Sequence, residues 1–134
     1  MRAHHQLRVW QDAMTLVRHV YELSARFPPD ERFGLTAQLR RSAVSVPSNI
    51  AEGAARATRK EFSQFLMIAR GSLSEIDTQL RIAQDLSFAD CSHLIRDVES
   101  IFAQLAGLLR SQTDASRAAE PRSNEAAKRP TSLA

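Results

Sequence analysis

A helical apolar period that runs straight through a proline constrains this chain more than any other feature. Around the segment QLRRSAVSVPSNIAEG, residues 38–53, the positions Leu35, Leu39, Ala43, Val46, Ile50 and Ala54 follow at steps of four, four, three, four and four. That spacing places them on one face of a helix. Pro47 lies inside the run. It has no N–H for the Ala43 carbonyl and its ring crowds the preceding turn, so the helix is expected to be kinked there or divided. The polar residues are equally ordered: Gln38, Arg41, Ser45, Ser48, Asn49, Glu52 and Arg56 fall within about a third of the circumference, opposite the apolar stripe, at 3.6 residues per turn. Such a strip can be a contact for another subunit or a polar ligand, with Arg41 offering a planar fork and Asn49 an amide. It can also be a solvated face whose serines and asparagine satisfy the carbonyls released by Pro47.

Three further segments carry the same kind of period. A first helix is expected from Leu7, with Trp10, Ala13, Met14, Val17, Val20 and Tyr21 as its core face and Val9, Leu16 and Leu23 widening it. Pro28 and Pro29 end it after Phe27. Asp30 is then placed to cap the proline-bearing helix, and Gly53 to end that helix in a left-handed conformation. Gly34, in its early turns, costs about 1 kcal/mol against alanine unless a close neighbour requires it. Residues 58–61, TRKE, read as a capping box in which Thr58 and Glu61 satisfy each other's backbone donors. The third helix follows with Phe62, Phe65, Leu66, Ala69, Leu73, Ile76, Leu80 and Ala83, and Gly71 is its candidate for a close backbone approach. Glu75 to Gln79 and Arg81 to Asp85 are expected outside. Asp90 can cap a fourth helix with Leu94, Val98, Ile101, Leu105 and Leu108 as one line and Ile95, Phe102 and Leu109 as a second. From residue 111 on, two prolines and no period predict a disordered tail, 111–134.

Four amphipathic segments with three short connections predict an all-α fold, an antiparallel up-and-down left-handed four-helix bundle over residues 7–110, with the second helix kinked at Pro47. A single cysteine, Cys91, allows no internal disulfide, which suits a reducing, cytoplasmic setting. The charged start fits no signal peptide, and no segment has the length of a membrane span.

The net charge is +3, but residues 1–60 carry +5, residues 61–111 carry −3 and the tail +1. Sixteen of the eighteen basic residues are arginine, suited to carboxylate and phosphate. The basic candidates are Arg40, Arg41, Arg56, Arg59 and Lys60. Phosphate-cradling glycine loops, zinc spacings and Glu-x-x-His pairs are missing from the sequence. His4 and His5 are adjacent and diverge in an extended chain; Cys91 and His93 lack further ligands and an oriented base. No catalytic residue, metal or cofactor is therefore expected.

The segments LRVWQDAM (7–14), FGLTAQLRRSAVSVPSNIAEG (33–53) and FLMIARGSLSEIDTQL (65–80) carry a resemblance. They are similar to the four-helix-bundle proteins first known from open reading frames inside 23S rRNA intervening sequences, a superfamily with accessory proteins of diversity-generating retroelements. The resemblance is close over residues 7–88 and extends by pattern over 90–110. It implies the bundle fold and a closed homo-oligomer, a ring of five. The apolar lines beyond one seam on the first and fourth helices point the same way, because a lone bundle would leave them wet. Two functions stay open: a nucleic-acid-binding accessory module for RNA or DNA, or a scaffold for another protein. Whether the five basic residues gather on one exposed face discriminates between them.

Overall fold

The computed structural model of the chain describes residues 2–118, and every regular element among them is helical. A 3-10 turn, Ala3–Gln6, precedes α1, Arg8–Ser24, and a second, Pro29–Glu31, precedes α2, Leu35–Ala54. α3 spans Arg59–Asp85 and α4 spans Ser92–Ala118. Each helix packs against the next in sequence, and α1 packs against α4, which closes a four-helix bundle.

The core is built from the expected stripes of the last three helices. Leu39, Ala43, Val46 and Ile50 of α2, Leu66, Leu73, Ile76 and Leu80 of α3, and Leu94, Val98, Ile101 and Leu105 of α4 are all buried. α1 is rotated from the expectation. Val9, Leu16 and Leu23 retain only 4%, 1% and 7% of their accessible surface, whereas Met14 and Tyr21 are 46% and 44% exposed. Two overlapping lines compete for the inside of this helix. The one made of Val9, Ala13, Leu16, Val20 and Leu23 has no polar atom to strand. The line with Trp10 and Tyr21 keeps its amphipathic rings at the rim, where the Tyr21 ring and carbonyl meet Arg40. On α4, Ile95, Phe102 and Leu109 pack partly buried against the core. The residues expected to be wet in a lone bundle are thus largely covered within one chain.

α2 passes through the buried Pro47 without a break, so the proline does not divide it. Its start differs from the expectation. The Leu35 N–H is capped at 2.9 Å by the Glu31 carboxylate, not by Asp30, which lies one residue further from the helix in the same 3-10 turn. Gly34 sits beneath that carboxylate, where an added Cβ would lie 2.7 Å from Glu31 Oε2. Gly53 is not left-handed and lies within the helix, buried. Its role is a close approach: a Cβ there would stand 2.7 Å from Phe65 Cβ and 3.0 Å from Phe62 Cδ1. Gly71, expected to be the site of close approach, is exposed with nothing within 4 Å of such a Cβ.

Gln79, expected outside, is 8% exposed on the α2–α3 side. Helix α4 does not stop near Arg110 but continues to Ala118, with Gln112 buried beside the start of the chain. The rest of the expected tail, 119–134, lies outside the described residues.

Candidate functional site

The five basic candidates divide into two groups. Arg40 and Arg41 lie 15 or 16 residues before Arg56, which is about 22–24 Å along a helix rising 1.5 Å per residue. Arg40 is also occupied. Its Nε donates to Ser24 Oγ at 2.8 Å, its Nη2 donates to the Tyr21 carbonyl at 3.2 Å, and its guanidinium lies 4.5 Å from the Tyr21 ring centroid. It ties α2 to the end of α1. Arg41 is exposed beside a separate, polar groove.

Arg56, Arg59 and Lys60 do come together, because the connection between α2 and α3 has only the four residues 55–58. All three are exposed. Arg56 donates to Glu52 one turn back and stacks at 5.0 Å from the Phe65 centroid. An exposed pair of that kind contributes only about 0–1 kcal/mol, so the guanidinium remains exchangeable. Arg59 and Lys60 open α3, where unpaired N–H groups favour anions. Thr58 fixes that start: its Oγ1 accepts from the Glu61 N–H at 3.1 Å and its hydroxyl donates to the Glu61 carboxylate at 3.1 Å. Only half of the expected reciprocal box forms, since Glu61 reaches the threonine hydroxyl rather than its backbone N–H. Beside the turn is an open groove lined by Leu7, Gly53, Arg56, Arg59, Phe62 and Gln112. Against Arg56, Arg59 and Lys60, the flanking Glu52 and Glu61 leave the turn itself with a net charge of +1.

The polar strip on α2 turns partly inward. Ser45 Oγ and Ser72 Oγ are 2.8 Å apart, Ser42 Oγ donates to Glu75 Oε2 at 3.2 Å, and Asn49 Nδ2 donates to the Ser45 carbonyl at 2.8 Å and to its hydroxyl at 2.9 Å. Gln38 and Arg41 edge the same groove, while Ser48 and Glu52 are exposed. The asparagine bonds the carbonyl four residues back from itself, not the Ala43 carbonyl opposite Pro47. Gln79 points into this seam with its Oε1 buried and unpaired.

A third cluster joins α1 to α4. His19 Nδ1 lies 3.8 Å from Asp97 Oδ2, and His93 Nε2 lies 3.5 Å from the same oxygen. At 3.8 Å there is no hydrogen bond, and His19 Nδ1 is buried without a partner. The cluster opens on a cavity of about 220 Å³ that Asp12, Thr15 and Ser100 also line. The one-turn spacing of His93 and Asp97 is readable in the sequence; His19 joins them only once the register of α1 against α4 is known. Cys91, the other group considered with His93, is buried elsewhere. Its Sγ donates to the Ala89 carbonyl at 3.6 Å, and burial, with the charge of Asp90, pushes the thiol up and away from reactivity. His4 and His5 pack on Trp10, with ring centroids 5.1 and 4.9 Å away.

Among the described residues no helix is long and apolar enough to cross a membrane. No curated protein matches the chain. The model of the 23S rRNA-intervening sequence protein family matches residues 5–111, which take in α1, α2, α3 and most of α4. Matching across nearly the whole of the bundle, the chain belongs to the 23S rRNA-intervening sequence protein family.

Proposed function

We propose that this protein is a non-enzymatic, cytoplasmic bundle that assembles with copies of itself and holds nucleic-acid backbones through the turn between α2 and α3. The observation that carries the reading is the placement of Arg56, Arg59 and Lys60, all exposed, around one four-residue connection at the start of α3. One such turn is weak, with two carboxylates beside it. Repetition around an oligomer, a ring of five by resemblance to the family, multiplies it. If each subunit neutralises one or two phosphates, the assembly engages roughly five to ten, enough for micromolar binding that falls steeply with salt. The aromatics nearest the turn are already engaged, Phe62 partly buried against the core and Phe65 beneath Arg56, so RNA and DNA sequences are distinguished little.

The architecture beneath this reading is an antiparallel, left-handed up-and-down bundle, kinked at Pro47. The antiparallel sense is supported by paired residues whose numbers move in opposite directions, Ser42 with Glu75 and Ser45 with Ser72 across α2 and α3, and Asp12 with Gln104 and His19 with Asp97 across α1 and α4.

A second reading, a protein scaffold without nucleic-acid contact, is favoured by exposed apolar side chains away from the turn, notably Phe33, Ile68, Ile82 and Leu86. Titration of labelled single- and double-stranded RNA and DNA at low salt separates the two. Native protein is expected to bind all four, and the Arg56, Arg59 and Lys60 triple alanine variant to bind more weakly with a shallower salt slope. Equal binding and slope in the variant defeats the site, and no binding by the native protein leaves the scaffold.

A further inference from the structure

We infer that His19, His93 and Asp97 form a site for one divalent transition-metal ion at the seam of α1 and α4. Each side chain supplies one ligand atom, and the three lie within 4.8 Å of one another; His19 Nδ1 and His93 Nε2 are the nitrogens nearest Asp97 Oδ2. Around a tetrahedral zinc ion with bonds of about 2.0–2.1 Å, ligand atoms stand about 3.3 Å apart. The two separations to Asp97 Oδ2, 3.5 and 3.8 Å, need contraction by only tenths of an ångström. His93 is free to close the remainder, being 66% exposed and near the start of its helix.

His19 gives the second, independent observation. Its Nδ1 is sealed from water yet has no hydrogen bond, so it carries a desolvation cost that a ligand bond would remove. Its neighbours leave it available. Asp12, the other carboxylate lining the cavity, is taken by the Gln104 amide at 2.8 Å and by Arg8, and that contact pins α1 against α4 two turns from the histidine. The two helices are therefore held in register before any ion arrives.

Two imidazoles and one carboxylate select zinc, cobalt or nickel over magnesium and calcium, which demand oxygen ligands. The positive end of α4 disfavours a cation, but one full carboxylate charge within bonding distance exceeds a half-charge spread over a helix terminus. Three protein ligands leave the fourth position to water from the cavity. An ion held here would clamp the first helix to the last.

The test uses the full chain with His4→Ala and His5→Ala, so that the adjacent N-terminal pair cannot compete. Cobalt(II) chloride is followed by its visible absorption and zinc chloride by calorimetry, with thermal unfolding measured alongside. Saturable one-to-one binding on the order of micromolar is expected, with an intense cobalt band and a raised Tm. His19→Gln, His93→Ala and Asp97→Asn should each weaken binding at least about tenfold, the loss of one ligand of three, and abolish the metal-induced rise in Tm. All three side chains are partly exposed, so the substitutions leave the core intact. Binding that the three substitutions do not change, or no saturable binding of either ion below about 100 µM, overturns the assignment.

Discussion

At the scale of single residues, two glycines in one sequence have opposite physics. At Gly53 a methyl group would gain about 1 kcal/mol of helix propensity, but it would stand 2.7 Å from Phe65 Cβ, an atom tied to the α3 backbone, and 3.3 Å from the Phe62 carbonyl. Overpacking of that kind costs about 1–3 kcal/mol, so Gly53→Ala is expected to destabilise. At Gly71 nothing lies within 4 Å, and Gly71→Ala should stabilise by about 0.5–1 kcal/mol. Urea denaturation of both variants reads the two signs directly; a shift of Gly53→Ala towards higher urea would show that α2 and α3 can separate at no cost. The sequence suggests a left-handed end at Gly53 and a close approach at Gly71, and the structure puts the close approach at Gly53 instead. A glycine marks either a backbone conformation or a close neighbour, and which applies depends on the side of the helix that the next helix occupies. The same limit hides His19, which is an ordinary helical histidine until α4 is laid beside it.

At the scale of elements, helix starts are more legible than helix ends. Thr58 three residues before Glu61 is a local signal, and its hydrogen bond to the Glu61 N–H forms as the spacing requires. Glu31 capping Leu35 is harder to see, since the carboxylate reaches forward over residues 32–34 from the end of a 3-10 turn that two prolines and an aspartate disguise as a helix start. The end of α3 has no glycine to mark it. Ser87 adopts φ 61°, its N–H donates to the Gln84 carbonyl at 3.0 Å, and the Phe88 N–H donates to the Ala83 carbonyl at 2.9 Å, the paired bonds of a Schellman closure. A serine there bears the left-handed penalty of roughly 1–2 kcal/mol. Glycine removes that penalty while adding up to about 1 kcal/mol of backbone freedom to the unfolded chain. Ser87→Gly is therefore expected to raise stability by up to about 1 kcal/mol, measured as a higher denaturation midpoint at unchanged slope. A lowered midpoint would mean that the left-handed turn is not what this serine contributes.

At the scale of the whole molecule, the four-helix fold is legible because every core stripe keeps a three-four period, and a proline inside one of them does not change which face is apolar. The outer surface is less legible, because two apolar lines on α1 differ by one position and only packing decides between them. That reversal moves the argument for self-assembly rather than ending it. Val9, Leu16 and Leu23 are buried within one chain and cannot drive association. Their competitors Met14 and Tyr21, with Val44 of the neighbouring α2, are each more than 40% exposed, and Val17 between the first two and Trp10 one turn earlier are only partly buried. Aromatic and methionine side chains in one line along two adjacent helices have the composition of an interface core. A symmetric assembly that repeats this face would desolvate it in every subunit at once. Met14→Glu together with Val44→Glu tests the idea, since charges at exposed positions of a lone bundle cost within about 0.5 kcal/mol, whereas unpaired charges inside a repeated interface cost several times more. Light scattering at micromolar concentration is expected to give the native protein a multiple of the 15.0 kDa chain, five by resemblance to the family, and the double variant 15.0 kDa with its helical content and unfolding midpoint retained. A native mass of 15.0 kDa excludes assembly, and an oligomer that survives both charges places the contact on another face, such as that of Ile68, Ile82 and Leu86 on α3 and its end.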